Sequence, residues 1–142
     1  MTDATSLQVS THVKAPRAKV YAAFVTPETL SRWFAPGTRK ARAEQLDVRP
    51  GGRYRIVMQG EEDAPTATGE YQEVLAGQKL VFSFSWEGDP SQPTLVTVTF
   101  SDADGGTNVV LTHDRFASPE SRDHHREGWQ AILDKLPALF AA

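Results

Sequence analysis

The sequence predicts an α+β domain: a seven-stranded curved antiparallel sheet wrapped on a long C-terminal helix, with two short helices between strands 1 and 2. Three observations carry that prediction. Residues 7–13 alternate apolar and polar side chains, residues 41–116 repeat the alternation between turn sequences, and residues 118–140 switch to three- and four-residue apolar steps. At 142 residues the chain is long enough to bury a substantial core, and it is read as a single domain from 1 to 142.

In strand 1, Leu7, Val9, Thr11 and Val13 face one way and Gln8, Ser10, His12 and Lys14 the other, which makes His12 a surface residue. Pro16 opens a short helix with Val20, Ala23 and Phe24 on one face. Thr26-Pro27-Glu28 caps and opens a second helix, whose apolar set is Leu30, Trp33 and Phe34, and Pro36-Gly37 ends the pair. Turn chemistry then recurs at Arg49-Pro50-Gly51-Gly52, 60–65, Ala76-Gly77, 88–93 and Asp104-Gly105-Gly106. Five such turns separate six strands, and links this short make neighbours pair antiparallel in a meander.

Tyr54, Ile56 and Met58 share the apolar face with Leu80, Phe82, Phe84 and Trp86, with Val96, Val98 and Phe100, and with Val109, Leu111 and His113. Arg53 and Arg55 take the wet face and pair with acids there; residues 42–48 have no legible face. An antiparallel sheet with one apolar face needs a cover. The last helix supplies it: Ser118 is the N-cap, Pro119 the first helical position, Glu120 complements the helix dipole, and Trp129, Ile132, Leu133, Leu136 and Phe140 form the stripe. Pro137 removes a backbone donor and predicts a kink or an early end.

Composition narrows the chemistry. The formal net charge of -3, with both signs interspersed, gives no basic face for nucleic acid and no polybasic arm for a membrane. The chain has no cysteine, so disulfides, thiolate catalysis and cysteine-ligated metals are excluded. Residues 1–6 are short and polar and no run of about 18 apolar residues occurs, so the expectation is a cytoplasmic monomer or homodimer without membrane insertion. His113 and His125 approach one end of the space under the helix, either as an acid–base pair or as satisfied histidines that fix helix to sheet. His124 and His125 are adjacent on a helix and cannot face one ion, so neither a metal site nor a cofactor is expected. Gly51-Gly52 and Gly105-Gly106 lie in hairpin turns without the helix that a phosphate loop requires. Arg39, Lys40 and Arg42 form a small cluster able to attract an anion or to stand as a solvated rim.

The aromatic set Trp33, Phe34, Tyr54, Tyr71 and Phe82, continued by Phe84, Trp86, Phe100 and Trp129, admits two readings. With His113, His125 and Leu133 it lines a pocket for a flat or greasy ligand; otherwise the same rings fill the core.

Several phrases resemble one family when taken in order. They are Lys14-Ala15-Pro16 before Val20-Tyr21-Ala22-Ala23-Phe24, and Pro27-Glu28 before Arg32-Trp33-Phe34-Ala35-Pro36. Next come Asp47-Val48-Arg49-Pro50-Gly51-Gly52-Arg53-Tyr54, Gly69-Glu70-Tyr71, Lys79-Leu80-Val81-Phe82 and Thr97-Val98-Thr99-Phe100. Leu111-Thr112-His113 and His125-Arg126-Glu127-Gly128-Trp129 close the series. The chain resembles the START-like superfamily of helix-grip folds, and within it the family of the activator of heat-shock protein 90 ATPase homologue in its small bacterial form. The resemblance implies an apolar or aromatic small molecule held under the long helix. Its alternatives are a chaperone partner, or cyclase/dehydratase chemistry using His113 and His125. Non-catalytic binding is the expectation.

Overall fold

In the computed structural model, which describes residues 5–35, 37–89 and 92–140, the first strand hydrogen-bonds to the last. β1 (Leu7–Val13) runs antiparallel to β7 (Gly106–Asp114), with Leu7 opposite His113 and Val13 opposite Thr107. β2 (Lys40–Leu46), β3 (Arg53–Gln59), β4 (Thr66–Leu75), β5 (Lys79–Trp86) and β6 (Thr94–Ala103) form an antiparallel meander that β7 completes. The sheet order is β1-β7-β6-β5-β4-β3-β2. α1 (Arg17–Val25) and α2 (Pro27–Leu30) lie between β1 and β2, and α3 (Pro119–Leu133) and α4 (Leu136–Leu139) follow β7. This is the expected α+β helix-grip arrangement, and the strand count follows the turn chemistry. Pro36 and residues 90 and 91 of the 88–93 turn lie outside the described residues.

The elements differ from their sequence reading in detail. Pro16 is the N-cap of α1, not its first turn. α2 stops at Leu30, and Trp33 and Phe34 follow in tighter turns in which Arg32 N donates to Thr29 O and Trp33 N to Leu30 O. Ser118 caps α3 as expected, its hydroxyl accepting from Ser121 N at 3.2 Å. The helix ends early, at Leu133, because the ring of Pro137 excludes the carbonyl four residues before it. Pro137 instead occupies the first turn of α4.

β2 shows why residues 42–48 had no readable face. None of its residues is buried, and a register shift between Ala43 and Gln45 moves the inward positions from 41 and 43 to 46. On the wet face, Arg55 bonds Glu87 at 2.7 and 2.8 Å and also bonds Glu44, while Arg53 is exposed.

Candidate functional site

Most of the space between sheet and helix is filled by rings. Trp33 donates its indole N–H to Ala23 O at 3.0 Å and packs edge-on against Phe24 and Phe34, at 4.7 and 5.3 Å between centroids. Phe100 meets Phe24 and Tyr21. Tyr54, Tyr71 and Phe82 form a triangle 5.4–5.7 Å on a side, and Tyr54 Oη donates to Ser83 O at 2.7 Å. That approach requires Gly69, which lies opposite Tyr54: a Cβ there would stand 1.9 Å from Ser83 O and 2.6 Å from Tyr54 Cε2. Burial raises the phenol pKa of both Tyr54 and Tyr71. The void among these rings is about 20 Å³, room for roughly one water. Trp33, Phe34, Tyr54, Tyr71, Phe82, Phe100 and Leu133 thus pack as core.

Phe84, Trp86, His113, His125 and Trp129 come together elsewhere, beside the middle of α3. Here the helix leaves a groove of about 300 Å³ between itself and the sheet. Met58, Phe84 and Trp86 of the strands, Pro65 of the β3–β4 turn, and Gly128, Trp129 and Ile132 of α3 give it apolar walls; Arg39, His124 and His125 are its polar edges. Trp86 and His125 also wall a second recess of about 280 Å³, bounded by Thr94, Phe116 and Ser121.

The two histidines are fixed by indoles. Trp129 Nε1–H donates to His113 Nδ1 at 2.8 Å, and Trp86 Nε1–H donates to His125 Nε2 at 2.9 Å. An indole N–H only donates, so each receiving nitrogen is unprotonated and each ring is held in one tautomer. The remaining His113 nitrogen, Nε2, then donates to Thr94 Oγ1 at 2.6 Å, and that hydroxyl in turn donates a hydrogen bond to Phe84 O at 3.0 Å. His125 Nδ1 donates to Ser121 O at 2.7 Å, within α3. The imidazoles are 5.5 Å apart, and Phe116 packs on both. Every ring nitrogen is committed, so the pair ties α3 to β5, β6 and β7.

Burial, aided by the neighbouring His125, lowers the pKa of His113 to about 3. An unfolded chain takes up a proton near pH 6.5 that the folded ring refuses, so this contribution is complete above pH 6.5 and is lost as pH falls toward 3. His113→Gln, which keeps an acceptor and a donor but does not titrate, is expected to remove that dependence. Between pH 7 and pH 5 the native protein should lose about 2 kcal/mol more than the variant in urea denaturation. Equal losses would show that His113 titrates normally.

The residue reading missed Arg39, Met58, Pro65, His124, Gly128 and Ile132 as groove walls, and Thr94 as the partner of His113. A signal existed for some: positions 124, 128 and 132 recur at four-residue steps on α3, and Thr94 is in register with the inward Val96 and Val98. Among the described residues no three His, Asp or Glu side chains gather as a metal site. None of the described helices is long and apolar enough to cross a membrane.

A family model described as Activator of Hsp90 ATPase homolog 1-like protein matches residues 14–141. Among solved structures, protein Ms6760 from Mycobacterium smegmatis superimposes with a TM-score of 0.87 at 22% identity, over 99% of this chain and 93% of that one. Protein CV1439 from Chromobacterium violaceum gives 0.85 at 21% identity, over 96% of each chain. The AHSA1 protein from Silicibacter pomeroyi gives 0.79 at 22%, over 94% of this chain and 95% of that one. At these identities the structures share the fold. Among curated proteins, none matches this chain.

Proposed function

We propose that this chain, which belongs to the family of Activator of Hsp90 ATPase homolog 1-like proteins, binds a small apolar or aromatic molecule in the groove beside Trp86 and Trp129. The observation that carries the reading is the groove itself: about 300 Å³, walled by Met58, Pro65, Phe84, Trp86, Trp129 and Ile132, with only a few polar groups at its edges. Concave, largely apolar sites with few polar groups are what small ligands occupy. Binding is favoured over cyclase or dehydratase chemistry because His113 and His125 have both nitrogens engaged, so proton transfer by either would break a bond to an indole, a hydroxyl or a carbonyl.

The three tryptophans supply the test and its internal control. Titration with 2-naphthylmethanol, followed by the indole N–H resonances, should shift Trp86 and Trp129 saturably and leave Trp33 in place. A Trp33 shift equal to the other two, or none at any, would overturn the reading. The chaperone partnership that the family's description names has its own test, a raised chaperone ATPase rate on adding this domain.

A further inference from the structure

Arg39 also lines a further hollow of about 210 Å³ with a different character. Its floor is apolar, made by Trp33, Phe34 and Ala35, and its rim carries Arg32, Arg39, Lys40 and Lys135 with no acidic residue among them. Arg39 is neutralised: its guanidinium bonds Asp63 Oδ1 at 2.6 Å and Met58 O at 3.3 Å. Arg32, Lys40 and Lys135 have no ion pair among the described residues. Lys135 Nζ donates to Ala35 O and Gly37 O, two carbonyls that orient the ammonium without cancelling its charge. In a chain of net charge -3, three unneutralised cations gathered over an apolar floor are a local reversal of sign.

We propose that the ligand is an amphipathic anion whose apolar body lies against Trp86, Trp129 and Ile132 and whose carboxylate reaches past Arg39 to Arg32, Lys40 and Lys135. The inference rests on the groove being the ligand site and adds the chemical class. Arg39 lines both hollows, which places them on either side of its side chain. The Asp63 partner fixes that side chain and lowers its own pull on the anion. The charge that selects the head group is therefore that of the three cations beyond it.

A matched pair tests this: 4-(2-naphthyl)butanoate against 4-(2-naphthyl)butan-1-ol, titrated by calorimetry into the full chain at low and high salt. The acid is expected to bind at least about fivefold tighter at low salt, with the advantage shrinking as salt rises. In the double variant Arg32→Gln, Lys40→Gln, both at exposed positions, the acid should lose most of its advantage while the alcohol is unchanged. Equal affinities for acid and alcohol in the native protein would overturn the proposal and leave the groove standing, as would an undiminished advantage in the variant. Failure of both compounds to bind would overturn the groove and the proposal together.

Discussion

Gly128→Leu is expected to yield a folded, slightly more stable protein that no longer binds apolar ligands. A Cβ built at Gly128 meets nothing within 4 Å, and the residue lines the groove from inside α3, so a leucine side chain enters the space a ligand needs without pressing on the core. Replacing a helix-interior glycine by leucine adds roughly 0.8 kcal/mol of helix stability, a rise in melting temperature of a few degrees. Filling the groove should weaken 2-naphthylmethanol binding by at least about tenfold, or ~1.4 kcal/mol. The two readouts move in opposite directions, which separates occlusion from unfolding. An unchanged affinity in a variant of raised melting temperature would place any binding elsewhere.

The opposite outcome is expected at Gly69. Alanine there sets a methyl 1.9 Å from Ser83 O on the neighbouring strand, closer than any real contact, and 2.6 Å from the ring of Tyr54. Either β4 moves off β5 or the tyrosine turns away and gives up its 2.7 Å bond to Ser83 O. Overpacking of this kind costs about 1–3 kcal/mol, and the lost hydrogen bond adds ~1. Gly69→Ala should therefore lose ~3 kcal/mol in denaturant unfolding, or accumulate unfolded. A loss under ~0.5 kcal/mol would show that the sheet yields at this point without strain.

How far these features were legible in the sequence follows from what each depends on. Strand order and the covering helix rest on local periodicity and turn residues, both visible in one dimension. The face of β2 was not visible, since a register shift breaks the alternation and no residue of the strand is buried. Pairing of His113 with His125 was legible from the inward register of β7 and the spacing on α3. That each ring is held by an indole was not, because Trp86 and His125 are 39 positions apart and no period links them. Pocket and filled core could not be told apart from ring count alone. The structure divides the set: Trp33, Phe34, Tyr54, Tyr71, Phe82 and Phe100 lie away from the groove, while Phe84, Trp86 and Trp129 line it. The difference lies in how distant elements pack, and side-chain identity does not encode it.

The pairing of the first strand with the last has a consequence for how the molecule assembles in time. Leu7 faces His113, so the edge that β1 will occupy does not exist until more than a hundred further residues have been made. At ribosomal speeds of about 5–20 residues per second that interval is roughly 5–20 s. Until then β1 is an apolar segment without a template, whereas the hairpins from β2 onward close as they emerge. Ring closure across so long a separation belongs to the slow, high-contact-order regime of milliseconds to seconds. The pairing of β1 with β7 is thus a late event, so nascent chains that have not yet reached β7 should present β1 to chaperones and proteases.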